Sequence, residues 1–383
     1  MSDGIKLVID ARMLVASGIG TYLRNLIPRL AAIVPEWHLT LIGTSEDLEL
    51  LPMPTGSSVR HVQMTTAVYT PTEQVEMLFR VPKGADLLWI PHYNLPVLYR
   101  GRMVITVHDV LPLARPEFIG GRYRNLYARA LFAGVAARAS RVLVDSNFTR
   151  LELLRFTAVS PHLIKTVYPG VDNAWFDVRR SPNTAKPYVV FVGNVKPHKN
   201  LRGLLRAFER LKDRISHRLL VVGRHSGFRT NDREALGLAA ALGQRVEFVG
   251  EIGDEDARRL VANASALALP SHYEGFGLPP LEAMACGCPV LVSRSGSLPE
   301  VCGDAAWYCD ATEDADIARQ LLRVLTDTEL QNQLRARGER RAREFTWTEC
   351  ARQTLSAMRE AINVDQVAGS SSHGDLHRHT ERA

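Results

Sequence analysis

Continuous apolar runs recur along the chain and alternate with longer segments in which apolar residues return every three or four positions. The runs cover residues 5–10, 38–43, 58–62, 87–90, 103–107 and 141–144, and then 188–193, 218–223, 246–250, 266–269, 289–293 and 306–308. Such runs are typical of parallel strands that are covered on both faces. Their alternation with helical segments predicts an α/β chain of two doubly wound, Rossmann-like halves.

A polar, proline-containing segment at residues 177–187 separates the two series and predicts a linker. The N-terminal half therefore spans residues 1–176, and the C-terminal half spans residues 188–345. Residues 346–365 show the spacing of an amphipathic terminal helix, and the polar stretch 366–383 is predicted to be a disordered tail.

The first apolar run is followed by a glycine-containing loop. Gly18 and Gly20 precede a helix that is predicted to start near Thr21, but the G-x-G-x-x-G fingerprint of dinucleotide-binding proteins is incomplete. Two interpretations remain open at this point: a simple tight turn, or a loop at a cleft between the halves that approaches a ligand.

Residues 267–293 form the most informative stretch of the chain. Their pattern predicts a strand, a loop, a helix that begins at Pro279 and ends before Gly287, and a second strand. Gly275 and Gly277 let the backbone approach a ligand closely, and the amino end of the following helix attracts anions. A phosphate is therefore expected at this loop.

Two carboxylates border this anion site. Glu274 lies in the loop, and Glu282 lies early in the helix. Because a carboxylate repels phosphate, both are expected to bind hydroxyl groups of a sugar or a ribose instead. The alternative is an ordinary surface loop in which Glu282 stabilises the helix end.

The same stretch carries a family resemblance. The segment EGFGLPPLEAMACGCPV, from Glu274 to Val290, together with Gly296 and with LPEV from Leu298 to Val301, resembles the donor-site signature of the GT-B fold retaining glycosyltransferases of family 4. The resemblance implies an N-terminal acceptor domain and a C-terminal nucleotide-sugar donor domain that face each other across a central cleft. It also implies that the terminal helix crosses back to the N-terminal domain.

The resemblance assigns the donor diphosphate to Lys199, in the segment GNVKPHKNL that follows the first strand of the second half. A lysine offers phosphate a positive charge and three hydrogen-bond donors. Many members carry an arginine where this chain has Asn194, so the second phosphate-binding cation stays open between Lys196 and Arg224. Ile252, after a later strand, is expected to lie beside the nucleotide base.

Two residues are the candidates for catalysis. His108 follows the fifth apolar run, at a strand end where such sheets bind ligands, and the resemblance implies that it contacts the transferred sugar. The alternative is a loop histidine that satisfies the backbone. Glu274 is assigned to the same sugar and Glu282 to the ribose. The other donor-binding candidates are Asn194, Gly275, Phe276, Gly277 and Leu278, and Gly18 and Gly20 are assigned to the cleft loop.

The net charge leaves the class of binding partner open. The chain of 383 residues has a formal net charge of +6, which by itself is compatible with nucleic acid, an anionic membrane surface or phosphorylated substrates. The resemblance favours a nucleotide-sugar donor and a glycan or lipid-linked acceptor, without nucleic acid. The basic and apolar segment 112–127 is either a solvated surface or a peripheral contact with an anionic membrane.

Cysteine content and the N-terminal pattern bear on the compartment. The five cysteines are odd in number and lack C-x-x-C spacing, so we expect buried reduced thiols. The N-terminus enters a strand without the basic and apolar regions of a signal peptide, and no apolar stretch reaches the length of a membrane-spanning helix. We therefore expect a cytoplasmic protein, and segment 112–127 leaves open a position at the inner face of the membrane.

The combined prediction is a retaining glycosyltransferase that moves a hexose from a nucleotide diphosphate sugar in cell-surface polysaccharide synthesis. The segments IDARML, GIG and VGNVKPHKNL resemble those of bacterial polysaccharide mannosyl- and rhamnosyltransferases, which favours mannose from GDP-mannose. The resemblance implies no metal and no cofactor besides the donor substrate. The alternatives are a nucleotide-sugar 2-epimerase of the same architecture and a non-catalytic partner protein with the same fold.

Overall fold

The computed structural model describes residues 4–181, 186–223 and 232–370. Within these ranges the chain forms two parallel sheets, one in each half, which confirms the predicted pair of Rossmann-like α/β halves.

Strands in both sheets run parallel to their neighbours. The first sheet has the order β3-β2-β1-β4-β5-β6-β7 and consists of β1 (Lys6–Asp10), β2 (His38–Gly43), β3 (Ser58–Gln63), β4 (Leu87–Ile90), β5 (Met103–Val107), β6 (Arg141–Val144) and β7 (Ile164–Thr166). The second has the order β10-β9-β8-β11-β12-β13 and consists of β8 (Tyr188–Val192), β9 (Arg218–Val222), β10 (Val246–Gly250), β11 (Ala266–Leu269), β12 (Val290–Ser293) and β13 (Trp307–Cys309).

Helices lie in most of the connections between successive strands, and the last three follow the final strand of the second sheet. They are α1 (Ser17–Ile33), α2 (Ser45–Leu48), α3 (Pro71–Arg80), α4 (Leu111–Ala114), α5 (Arg122–Arg138), α6 (Asn147–Phe156), α7 (Leu201–Arg210), α8 (Arg233–Leu242), α9 (Asp254–Asn263), α10 (Leu278–Ala285), α11 (Leu298–Cys302), α12 (Asp314–Thr326), α13 (Thr328–Arg343) and α14 (Trp347–Ser370).

Most strands lie where the apolar runs predicted them. The bounds of β2, β4, β5, β6, β10 and β11 match the prediction at both ends. Every residue of β4, β5 and β11 is buried, which is why these strands appear in the sequence as unbroken apolar runs. The edge strand β7 has only three residues, too few to give a periodic signal of its own.

Helix α1 begins earlier than predicted. The sequence analysis placed Gly18 and Gly20 in a loop before a helix near Thr21, whereas α1 starts at Ser17 and contains both glycines. Glycine is a poor helix former, so intrinsic propensity argued against this start. A Cβ at Gly20 would lie 2.4 Å from the carbonyl oxygen of Leu14. Close packing against the preceding turn therefore favours glycine inside this helix.

The last helix packs on the first sheet. Buried residues of α14, among them Trp347, Leu355 and Met358, join the core of the N-terminal half. The helix continues to Ser370, past the predicted end at residue 365, because no glycine or proline occurs between its buried part and Gly369. Residues 371–383 of the predicted tail lie outside the described ranges.

The strand order reverses once in each sheet. β1 lies between β2 and β4, and β8 lies between β9 and β11. Loops that leave such neighbouring strands diverge, and they open a crevice at the carboxyl ends of the strands. Ligand-binding side chains are therefore expected after β1 and β4 and after β8 and β11.

Candidate functional site

Two loops at the reversal point of the second sheet carry the central pair of the site. Lys199 follows β8, and Glu274 follows β11. The Lys199 Nζ lies 2.7 Å from each carboxylate oxygen of Glu274, and these side chains are 18% and 8% exposed. Ser271 Oγ donates a further hydrogen bond of 2.7 Å to Glu274. The fold thus brings together a cation and a carboxylate that are 75 positions apart in the sequence.

A second lysine lies within electrostatic range of this pair. Burial lowers the pKa of Lys196; Asp109 and Glu274 raise it, and Lys199 lowers it further. An anion bound beside the two lysines would relieve their mutual repulsion. Of the two candidates for the second phosphate-binding cation, the described structure positions Lys196 here, and Arg224 lies outside the described residues.

The loop after Glu274 packs against the N-terminal half. A Cβ at Gly275 would lie 2.1 Å from the carbonyl oxygen of His108. The Gly275 carbonyl accepts hydrogen bonds from Ser146 Oγ at 2.7 Å and Thr149 Oγ1 at 3.1 Å. The sequence interpretation was that this glycine admits a ligand, but the structure uses the space for a contact between the two halves.

Helix α10 directs its amino end toward this loop. Gly277 precedes the helix with a φ of +98°, a left-handed conformation that favours glycine. Pro279 and Pro280 lack N–H groups, so the first turn offers an anion the N–H of Leu278 and the positive end of the helix dipole. The predicted phosphate position keeps a donor, but fewer donors than an ordinary helix end would supply.

Phe276 contributes its ring to the core. The ring is buried, and its centroid lies 6.4 Å from that of Tyr168 and 5.8 Å from that of Phe345. The prediction had grouped Phe276 with the donor-binding residues. Because the ring fills the core, only the backbone of this residue remains for a ligand contact.

Glu282 lies on α10 and is partly buried. Burial raises its pKa to about 7; Asp254 and Asp172 add to the rise, and Arg258 opposes it. Within the described part of the chain, no hydrogen bond satisfies its carboxylate. Such a carboxylate is costly in the unliganded protein and is available to the hydroxyl donors of a ligand.

The remaining donor and cleft candidates border the same crevice. Asn194 Nδ2 donates a hydrogen bond of 3.2 Å to Ser17 Oγ at the start of α1, which places Gly18 and Gly20 opposite the loop after β8. Ile252 follows the edge strand β10 and packs, partly buried, against the core of the C-terminal half. It therefore lies to one side of the central pair.

His108 has protein partners at both ring nitrogens. Its Nδ1 lies 2.6 Å from Asp145 Oδ2, and its Nε2 lies 2.9 Å from the carbonyl oxygen of Pro91. Burial lowers the pKa of His108, but Asp145 and the Pro91 carbonyl raise it, and the net shift is upward. Two accepting partners favour the doubly protonated ring. A sugar hydroxyl, the predicted partner, would have to displace one of them.

The sequence analysis did not assign Asp145 to the site. In the sequence, the segment from Asp145 to Thr149 offers side chains that could cap the next helix. Ser146 fills that role, because its Oγ accepts a 3.0 Å hydrogen bond from the Thr149 N–H. Asp145 instead holds His108. Its position at the carboxyl end of β6 was the available signal.

Glu300 joins the two halves through the amino end of α6. Its carboxylate accepts hydrogen bonds from the N–H groups of Asn147 at 2.7 Å and Phe148 at 2.9 Å, and from the Tyr168 hydroxyl at 2.8 Å. A carboxylate at a helix amino end is stabilised by the dipole. We call this set of contacts the Glu300 clasp. Glu300 belongs to the LPEV segment, but its partners lie more than 130 positions away in the sequence.

The cysteines agree with the prediction. All five are buried and unpaired, which confirms the expected reduced thiols. Across the described ranges, no group of three or more His, Cys, Asp or Glu side chains is arranged to hold a metal ion. None of the described helices combines the length and apolar character needed to span a bilayer.

Comparison with known proteins covers most of the chain. The family model described as Glycosyltransferase Family 4 matches residues 16–175, and the model described as Glycosyl transferases group 1 matches residues 175–341. O-antigen chain mannosyltransferase B of Escherichia coli is 29% identical over 371 residues, which are 89% of this chain and 95% of that protein. MMP alpha-(1->4)-mannosyltransferase of Mycolicibacterium hassiacum is 32% identical over 291 residues, which are 73% of this chain and 69% of that protein.

A solved structure shares the fold. HepE from Anabaena, crystallised with UDP and glucose, superposes with a TM-score of 0.74 at 19% identity, covering 92% of this chain and 99% of that chain. The similarity extends over both halves and supports the GT-B arrangement that the sequence resemblance implied.

Proposed function

Because this chain belongs to the GT-B glycosyltransferases, we propose that it is a retaining hexosyltransferase of cell-surface polysaccharide synthesis, with GDP-mannose as its donor. The acceptor is a hydroxyl group of a glycan or of a lipid-linked sugar. Support for mannose comes from the similarity to the two mannosyltransferases and from the segments IDARML and VGNVKPHKNL.

The observation that carries this proposal is the paired Lys199 and Glu274 at the reversal point of the second sheet, beside the amino end of α10. This arrangement offers a diphosphate a lysine, the Leu278 N–H and a helix dipole. It offers the attached sugar a carboxylate that accepts hydrogen bonds from hydroxyls. Glu282 supplies a second accepting carboxylate, which we assign to the ribose.

In the proposed reaction, the acceptor oxygen attacks the anomeric carbon on the face from which the diphosphate leaves. The anomeric C–O bond to the phosphate breaks as the new glycosidic bond forms, and the acceptor proton passes to the leaving phosphate oxygen. Glu274 is paired with Lys199, and Asp145 is paired with His108. Pairing lowers the nucleophilicity of both carboxylates, which favours this front-face path over a covalent intermediate.

Charge on the leaving diphosphate is stabilised by Lys199, Lys196 and the amino end of α10. Donors held in a fixed arrangement before the reaction stabilise developing charge without a further rearrangement. We assign this stabilisation to side chains and the helix dipole rather than to a divalent cation, and treatment with a chelator tests that assignment. His108, whose two ring nitrogens both donate hydrogen bonds when the ring is doubly protonated, adds a positive charge on the side of the transferred sugar.

A peripheral membrane contact completes the proposal. On α5, the exposed apolar residues Tyr123 and Leu126 lie beside the exposed arginines Arg122 and Arg124. Apolar and basic side chains together suit the surface of an anionic membrane. This surface would hold the enzyme at the inner face of the membrane, near a lipid-linked acceptor.

A donor panel tests the proposed function. GDP-mannose, GDP-fucose, UDP-glucose and dTDP-rhamnose are incubated with and without methyl glycosides of mannose, rhamnose and glucose, and release of nucleoside diphosphate is measured. We expect acceptor-dependent release with GDP-mannose and a product with the α configuration of the donor by NMR. Release of free sugar without any dependence on acceptor supports the epimerase alternative. Failure of every donor to react supports the non-catalytic alternative.

A further inference from the structure

Tyr69 has a backbone conformation that residues with a side chain rarely adopt. Its φ is +66°, in the left-handed region, where a Cβ crowds the backbone. The residue is not hidden in the core, because 40% of its surface is exposed. Unfavourable backbone conformations persist where the surrounding structure imposes them, and they concentrate at functional sites.

A buried charge network imposes this conformation. The Glu73 Oε1 accepts hydrogen bonds from the Tyr69 N–H at 2.7 Å and from Asn94 Nδ2 at 2.5 Å. The Glu73 Oε2 accepts one of 2.7 Å from Arg12, and Arg12 is held in turn by two bonds to Asp10, of 2.8 and 2.7 Å. A paired and hydrogen-bonded network of this kind fixes its members rigidly.

The Tyr69 side chain is also held in place. Its hydroxyl lies 2.9 Å from His92 Nε2, and the two rings meet edge to face with centroids 5.3 Å apart. The His92 ring lies 4.2 Å from the Tyr93 ring, which stacks at 4.7 Å on Phe132 in the core. An exposed aromatic ring that is already immobilised loses little conformational entropy when a ligand packs on it.

These residues lie at the reversal point of the first sheet. Arg12 follows β1, and His92 and Asn94 follow β4. The charges of Lys196, in the other half of the chain, and of His108 act on His92, and the charge of Asp109 acts on Tyr69. The loops that carry these residues therefore lie within electrostatic range of Lys196, which is itself within electrostatic range of Lys199 and Glu274.

The Asn94 side chain has one hydrogen-bond acceptor, Oδ1, that is not used by the network. Its Nδ2 must face the Glu73 carboxylate, which only accepts, so its Oδ1 is the remaining amide atom. The residue is 4% exposed, and its Oδ1 has no hydrogen-bond partner among the described residues. A buried acceptor without a donor is costly unless a ligand supplies one. Because the Tyr69 N–H and Asn94 Nδ2 both donate to Glu73 Oε1, the Asn94 side chain lies beside the backbone of Tyr69.

We propose that Tyr69 and Asn94 form the acceptor subsite: the terminal sugar ring of the acceptor stacks on the exposed face of Tyr69 and donates a hydroxyl hydrogen bond to Asn94 Oδ1. This inference rests on the proposed function. Pyranosides have an apolar face of C–H groups and a rim of hydroxyl donors, and the pair of residues matches both. Glu73 and Arg12 act as positioning residues, because they hold the subsite without touching the sugar.

Variants of Tyr69 test the subsite without adding backbone strain. Tyr69→Gly removes the ring, and glycine adopts a positive φ freely. Tyr69→Asn removes it with a second residue type that tolerates this region. Tyr69→Phe keeps the ring and deletes the hydroxyl. Phe156→Ala is the matched control, because Phe156 has a similar exposed fraction of 37% and lies at the far end of α6.

Two measurements are made on each full-length variant. The first is acceptor KM in transfer from GDP-mannose, together with GDP affinity by calorimetry. The second is saturation-transfer NMR of methyl α-D-mannopyranoside with GDP at saturation, so that the donor side is occupied. We expect Tyr69→Gly and Tyr69→Asn to raise acceptor KM by about tenfold or more and to lose the NMR signal, with GDP affinity unchanged. Tyr69→Phe should change KM by no more than about threefold.

The outcomes separate this inference from the proposed function. Unchanged acceptor KM and NMR signal in Tyr69→Gly and Tyr69→Asn, with active wild-type enzyme, overturn the subsite and leave the function standing. An effect of equal size in Phe156→Ala also overturns it. A wild-type protein that binds GDP but transfers from no nucleotide sugar refutes the function, whereas the NMR measurement still reports on saccharide binding at Tyr69.

Discussion

Glu282 provides a prediction in which stability and ligand binding change in opposite directions. Its carboxylate is partly buried without a hydrogen bond from any described residue, and burial raises its pKa from the ordinary value of 4.5 to about 7. Each pKa unit corresponds to about 1.4 kcal/mol, so ionising Glu282 in the folded protein costs on the order of 3 kcal/mol. Glu282→Gln keeps the size of the side chain and removes this cost.

The sign of the pH dependence follows from the direction of the shift. Between about pH 4.5 and pH 7 the folded protein binds the Glu282 proton more strongly than the unfolded chain does. The contribution of Glu282 to the free energy of unfolding therefore falls as pH rises through this window, and the loss is complete above about pH 7. The free energy of unfolding of Glu282→Gln, relative to wild type, should rise by about 3 kcal/mol from below pH 4.5 to above pH 7.

Denaturant unfolding across this pH range measures the predicted change in the free energy of unfolding. Glu36→Gln serves as the control, because Glu36 is exposed and lies far from the site in the N-terminal half. Taking the difference between each variant and wild type at every pH removes the titration of all other groups. A difference that does not vary with pH would show that Glu282 is not the buried, unpaired carboxylate described here.

Calorimetric titration of GDP measures the predicted change in ligand affinity. If Glu282 binds ribose, Glu282→Gln should weaken GDP binding by about 1.5–3 kcal/mol above pH 7, and by less at about pH 6, where wild-type Glu282 is itself protonated. Glu274→Gln should spare GDP affinity, because the sugar it is assigned to is absent from GDP. Equal losses in the two variants, or a larger loss for Glu274→Gln, would refute the assignment of the carboxylates.

Three further predictions concern the diphosphate, the metal requirement and the contact between the halves. Lys199→Ala should lower kcat/KM for the donor by about ten- to hundredfold in a folded protein, and an unchanged value at saturating acceptor would exclude Lys199 as the phosphate ligand. Treatment with EDTA should leave transfer rates unchanged; loss of activity that magnesium or manganese restores would contradict the proposed stabilisation by side chains. Glu300→Gln places an amide donor against a backbone N–H group of α6, which only donates, and should lower kcat by about tenfold with GDP affinity preserved. A matching loss of GDP affinity would argue against a role confined to the Glu300 clasp.

The pattern of neighbouring residues in the sequence was enough to predict much of the fold. A parallel strand covered on both faces must be apolar along its length, so β4, β5 and β11 could be located from the sequence with their ends. The alternation of such runs with helices implied two Rossmann-like halves. Because these sheets bind ligands at strand ends, the positions of Lys199 and Glu274 after β8 and β11 were also predictable.

Local signals failed where tertiary contacts decided the outcome. Glycines at the start of α1 and at Gly275 look alike in sequence. The first packs inside a helix, and Gly275 meets the carbonyl of His108. The sequence likewise could not show that Phe276 fills the core or that both nitrogens of His108 bind other residues.

The proposed acceptor subsite was the least accessible to sequence analysis. Arg12 and Glu73 are 61 positions apart, and the IDARML segment that contains Arg12 gives no indication of its partner. Their pairing, and the left-handed conformation of Tyr69 that depends on it, arise only when β1, β4 and α3 pack together. Spacing along the chain specifies secondary structure and burial, because those depend on neighbouring residues. Which buried charges meet depends on the packing of distant elements, and only the tertiary structure determines it.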